Sequence, residues 1–144
     1  MRSYELSTPM PAPANEVWAT LVDLARWGQW NNLVPVASGD VRPGQILAFK
    51  IRRIDGTVRD HTPTVDAIEP GRMIVLSATF GHRIAVKLVH TFTIDQVQEG
   101  SCRLLQRWDA SGFLVPIMWS NLTQAMGRFA ELGEDLAARV KQDA

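Results

Sequence analysis

The hydrophobic pattern of the chain changes period twice. Val17, Trp18 and Leu21 recur at three- and four-residue spacing, the stripe of an amphipathic helix. The pattern predicts a helix over residues 14–24, led in by Pro9, Pro11 and Pro13, and a second helical piece over 25–30 interrupted at Gly28. A short strand over 3–8 precedes them. From about Val34 the period becomes two. Leu47, Phe49 and Ile51 share one face of a strand over 46–53, and Asp55-Gly56 is a hairpin signal after it. The next strand, 58–68, contains Pro63 and so belongs at an edge or a bulge. Glu69-Pro70-Gly71 is a turn, 73–80 a strand, and Gly81-His82 a further turn.

Two strands then alternate most clearly. Over 84–97, Ile84, Val86, Leu88, His90, Phe92 and Ile94 share a face; over 101–110, Cys102, Leu104, Gln106 and Trp108 do. The loop Gln98-Glu99-Gly100 suits a hairpin with its glycine in the left-handed region. That register puts His90 opposite Trp108 and Phe92 opposite Gln106, and a slip of one residue would turn every side chain over. Finally Met118, Leu122, Ala125, Phe129, Leu132, Leu136 and Val140 form one apolar stripe, predicting an amphipathic helix of six or seven turns that starts near Pro116.

This order of elements predicts an α+β fold: a curved antiparallel sheet of about six to seven strands wrapped around a long C-terminal helix, with two short helices after the first strand. Short turns suffice for an antiparallel meander, and the helix stripe can cover one sheet face. The expectation is a single domain over 1–144 with an apolar pocket between sheet and helix.

Composition narrows the function. Apolar residues make up 46% and charged residues 21%, a globular balance. The 15 basic and 15 acidic residues cancel, which removes the electrostatic case for a nucleic-acid partner. The lone Cys102 has no disulfide partner in the chain, and no stretch has the roughly 18 apolar residues of a membrane-spanning helix. The first residues lack a signal-peptide core, so a cytoplasmic location is expected.

Pro11-Ala12-Pro13-Ala14-Asn15-Glu16-Val17-Trp18-Ala19-Thr20-Leu21-Val22-Asp23, followed by Leu24-Ala25-Arg26-Trp27-Gly28-Gln29-Trp30-Asn31, resembles the opening of START-like (SRPBCC) proteins, especially their polyketide cyclase/dehydrase branch. Ile68-Glu69-Pro70-Gly71-Arg72-Met73 resembles that family's turn before a central strand, and Gly100-Ser101-Cys102-Arg103-Leu104 its last hairpin. The likeness covers nearly the whole chain. It implies a helix-grip fold with a cavity between sheet and long helix. It implies less about reaction, since members bind lipids, polyketides, hormones or quinones and only some are catalysts.

His90 is the most informative polar residue, because it falls on an apolar strand face. In a cavity it could orient a ligand's carbonyl or hydroxyl, or move a proton near neutral pH; without one it is a hydrogen-bonded core histidine. Gln106 faces the same way and could fix a polar group or satisfy a buried backbone atom. Phe49, Phe92, Trp108, Trp30, Met118, Leu122 and Met126 are the apolar wall candidates, each of which could equally be core. Trp27, Trp30 and Trp119 are expected near the pocket mouth. Asp23 is expected to bond backbone at the end of the first helix. His61, His82 and His90 sit on different elements, so no metal site is predicted, and no cofactor motif or nucleophilic triad is visible. Three functions follow: a binding protein for a small hydrophobic molecule, acting as monomer or homodimer; a cyclase, aromatase or dehydratase using His90 as acid or base; or a protein-interaction module with a closed cavity.

Overall fold

The computed structural model describes residues 1–82 and 84–143. Strand β1 (Arg2–Met10) leads through Pro11–Pro13 into α1 (Ala14–Val22) and a 3-10 helix (Leu24–Gln29). Seven strands follow: β2 (Val36–Ser38), β3 (Ala48–Arg52), β4 (Val58–His61), β5 (Thr64–Glu69), β6 (Met73–Phe80), β7 (Val86–Gln98) and β8 (Ser101–Ser111). The chain ends in α2 (Val115–Gly127) and α3 (Phe129–Asp143). The architecture is the α+β helix grip, entirely antiparallel, with strand orders β1-β8-β7-β6-β5 and β2-β3-β4.

The strand count exceeds the expected six to seven because β2 adds a strand where none is predicted and another predicted strand divides. The strand predicted over 58–68 divides at Pro63, which has no N–H to give the ladder. Its two halves join different sheets, and β5 is an edge strand with a bulge between Val65 and Ala67. The sheets stay joined across the break: Leu47 N–H donates to the Pro63 carbonyl at 2.8 Å, and Val65 N–H to the Gln45 carbonyl at 2.8 Å. The expected β7–β8 register is present, with His90 opposite Trp108 and Phe92 opposite Gln106. Gly100 has φ 82°, as the hairpin turn requires.

Two helical expectations need correction. The 3-10 helix runs through Gly28 without interruption. A Cβ there would collide with the Pro35 carbonyl oxygen, so this glycine permits close backbone approach. The expected long C-terminal helix is present but interrupted at Arg128 between α2 and α3: its backbone stays in the helical region, while its N–H is shared between the carbonyls of Ala125 and Met126. Glycine is a weak helix former, and a Cβ at Gly127 would lie 3.1 Å from the Tyr4 hydroxyl.

Two apolar clusters hold the molecule together. The larger joins α1, the 3-10 helix and α3 to the concave sheet face, with Val17, Leu21, Leu104, Leu132 and Leu136 at most 1% exposed. The smaller packs Val115, Leu122 and Met126 of α2 on Val86, Trp108 and Ala110. Helix α3 lies so close to β1 that a Cβ on Gly133 would stand 2.5 Å from Thr8 Oγ1. Gly133→Ala is therefore expected to cost about 1–2 kcal/mol, although alanine is the better helix former. Adding Thr8→Ala should recover much of the loss. Urea denaturation of the single and double variants measures the coupling.

Candidate functional site

The polar centre of the concave face is built by one amide. Gln106 is 1% exposed, and its Nε2 donates to the Phe129 carbonyl at 3.0 Å. That bond sets which way the amide points, leaving Oε1 as an acceptor 3.2 Å from His90 Nε2. His90 must then carry its proton on Nε2. Its Nδ1, an acceptor, has no hydrogen-bond partner among the described residues. The imidazole lies between aromatic rings, with centroids 4.2 Å from Phe92, 4.1 Å from Trp108 in a stacked arrangement, and 5.2 Å from Phe129 edge-on.

Burial pushes the His90 pKa down to about 3, and the hydrogen bond to Gln106 only partly opposes it. The ring is neutral at pH 7 and offers one donor, already used, and one acceptor. Such a group can receive a hydrogen bond from a ligand hydroxyl or N–H. It is a poor general base, since that role favours a pKa near the working pH. Among the described residues no carboxylate is hydrogen-bonded to it to raise its basicity.

The expected wall residues separate into two groups. Trp108, Leu122 and Met126 are buried in the smaller cluster, with Met118 half-buried against it. Phe49 and Phe92 lie in the larger cluster, where Phe49 stacks on Trp27 with ring centroids 5.3 Å apart. Trp30 belongs to that end too, at a centroid distance of 5.7 Å from Trp27, and its buried Nε1 has no partner among the described residues.

The cavity lined by Leu21, Trp27, Phe49, Leu76 and Phe92 measures about 10 Å³, room for about one water, so a ligand of ten or more atoms fits at that end only if an element moves. At the other end His90, Met118 and Phe129 are half-buried. Helix α2 buries Val115, Leu122 and Met126, while its Ile117 is 81% exposed. It is bounded by Gly112 and Gly127.

Several rim expectations change. Trp27 is not at a mouth: it is 2% exposed and donates its Nε1–H to the Leu21 carbonyl at 3.0 Å. Trp119 keeps a rim position: it is half-buried against the smaller cluster, with the Arg2 guanidinium 5.6 Å from its ring centre. Asp23 makes no backbone cap; its carboxylate faces Arg26 at 3.6 Å. Residues that pattern reading passed over include the Phe129 carbonyl, which depends on where the C-terminal helix breaks, and Arg128, whose guanidinium donates to the Arg52 carbonyl. A lone arginine beside an apolar stripe carries no periodic signal.

Residues 11–132 match the family described as Activator of Hsp90 ATPase homolog 1-like protein. No curated protein matches. Among solved structures, a START superfamily protein from Mycobacterium smegmatis superposes with TM-score 0.77 at 19% identity, covering 99% of each chain. The Zhui aromatase/cyclase from Streptomyces sp. R1128 superposes with TM-score 0.78 at 13% identity, covering 98% of this chain and 94% of its own. A norcoclaurine synthase point mutant from Thalictrum flavum superposes with TM-score 0.76 at 14% identity, covering 99% and 95%. At these identities the likeness establishes the START-like fold.

Proposed function

The chain belongs to the Activator of Hsp90 ATPase homolog 1-like family, and from that premise we propose that it acts as one ligand-binding domain for a small, largely apolar molecule held between the sheet and the C-terminal helices. The observation that carries this reading is the neutral His90–Gln106 pair. It places an unused acceptor, Nδ1, among aromatic rings on the concave face. A core selected only for packing gains nothing from such a pair, since apolar groups of the same shape are as stable or better. The ligand enters by displacement of α2, its apolar body meets Trp108, Phe92, Leu122 and Met126, and its hydroxyl or N–H donates to His90 Nδ1.

An acid–base role for His90 in a cyclase- or dehydratase-type reaction has less support, because its pKa lies far below neutrality. A protein-interaction module with a closed interior is the stronger rival, favoured by the 10 Å³ cavity and by exposed Ile84, Phe113 and Ile117.

Thermal shift with 1-naphthol and 1-decanol separates these readings. Binding should raise the melting temperature with ligand concentration, reaching about 2.7 kcal/mol of stabilisation at a hundredfold excess over Kd. No shift with any apolar compound would leave the interaction module standing. The polar pair has its own signature. Gln106→Leu strands the His90 N–H and should cost roughly 1–3 kcal/mol. His90→Phe with Gln106→Leu should recover most of that stability while abolishing the preference for 1-naphthol over naphthalene.

A further inference from the structure

We propose that Arg128 and Arg52 form an anion site, and that the apolar ligand carries an acidic head group, a carboxylate being the closest match. This inference rests on the ligand-binding reading above. It starts from where the junction of α2 and α3 lies. Consecutive residues there touch different sheets: Phe129 meets His90 of β7 and Trp108 of β8, while the Arg128 guanidinium donates to the Arg52 carbonyl on β3. The junction thus crosses the concave face, and Arg128 latches it to the smaller sheet.

The two guanidiniums at this latch lack counter-ions. Arg52 Nε donates to the Asn32 carbonyl at 3.2 Å and its Nη1 to the Gly56 carbonyl at 3.4 Å. Among the described residues, the cations in ion pairs are Arg26, Arg42, Lys50, Arg72, Arg107 and Arg139. Of the remaining described arginines and lysines, Arg52 and Arg128 alone are half-buried; the others are exposed. Asp55 is hydrogen-bonded to the N–H and hydroxyl of Thr57, and Glu131 is exposed in the first turn of α3. Asp135 bonds the Asn32 main chain, and desolvation pushes its carboxyl pKa up, which weakens it as a counter-ion.

Partly desolvated charge without a counter-ion is costly, and backbone carbonyls compensate it only in part. A guanidinium presents a planar fork of donors that matches a carboxylate. Arg128 also stands at the start of α3, the helix end whose dipole favours negative charge. An anion here would satisfy both arginines, and the apolar chain behind it would run towards Phe129 and His90. Exchange of the Arg52 carbonyl for the ligand's carboxylate would release the latch, coupling head-group recognition to opening.

Decanoate and 1-decanol share a chain length and differ in the head group. Titration calorimetry at neutral pH should find decanoate bound about tenfold or more tightly than decanol. Arg128→Gln and Arg52→Gln should each reduce that ratio to within about twofold of unity, while Arg128→Lys retains part of it. Equal binding of the two compounds by the native protein, or an Arg128→Gln variant that weakens both alike, would overturn the anion site and leave the apolar-ligand reading intact. Absence of binding by either compound would remove both. If Arg128→Gln does not fold, as checked by circular dichroism, the ratio in the native protein and in Arg52→Gln decides the matter.

Discussion

Lowering the pH from about 6.5 towards 3 is expected to destabilise the protein through the half-buried His90, by at most roughly 1.4 kcal/mol per unit. The folded-state pKa of about 3 lies below the ordinary value of 6.5. Between those values the unfolded chain binds a proton that the folded chain refuses. The contribution is therefore fully present above 6.5 and shrinks as the pH falls. Carboxylates overlap at the acid end. Asp109, held low by Arg107 and Ser3 against its own desolvation, adds a loss in the same direction. Asp135, raised chiefly by desolvation and then by Glu131, acts in the opposite sense. The difference between the native protein and His90→Phe isolates the histidine, because the carboxylates are common to both. Chemical denaturation at pH 7, 6, 5 and 4 should show the native curve converging on and then falling below the variant's. Parallel curves would mean that His90 is solvated and titrates normally.

The largest effect expected from one substitution is at Gly112. Its φ is 123°, a conformation that side-chain-bearing residues rarely adopt. A Cβ there would overlap the Ala85 carbonyl oxygen and carbon, both main-chain atoms. Nor can this stretch of chain move aside freely: Phe113 N–H donates to the Ile84 carbonyl at 2.9 Å, and Leu114 N–H to the Ala85 carbonyl at 3.1 Å. Gly112→Ala should cost about 3 kcal/mol or more, the strain adding to the clash. Because Gly112 links β8 to α2, local opening should increase most in α2, seen as faster amide exchange over residues 115–127. A loss below about 1 kcal/mol would mean that the β8–α2 link is loose.

The contrast between these residues shows what the sequence carries. His90 and Gln106 were legible because strand period is two and both polar residues interrupt apolar faces; the hairpin at Glu99-Gly100 then determined which residues oppose them. The α+β order was legible for the same reason, period by period. The division at Pro63 was half legible: proline announces a lost ladder bond, but not that the two halves join different sheets. The break at Gly127-Arg128 was hidden, because the apolar stripe from Met118 to Val140 continues through it in phase. With the break went the Phe129 carbonyl and the Arg128 latch. Those features depend on how two helices settle on a curved sheet, and helix period is blind to that. Trp27 was misplaced because an indole suits a pocket rim as well as a core, and only the carbonyl of Leu21 beside its N–H decides between them.

The proposed ligand enters between the sheet and α2 and lies beside His90. Nuclear magnetic resonance with labelled imidazole nitrogens and methionine methyls tests this directly. On titration with 1-naphthol, the His90 Nδ1 resonance should move upfield as that atom accepts a hydrogen bond, in step with the methyls of Met126 and Met118. All three should saturate with one dissociation constant. If the shifts are confined to surface residues such as Phe113 and Ile117, and His90 and Met126 stay unmoved, the interior is a packed core and the ligand-binding account is wrong.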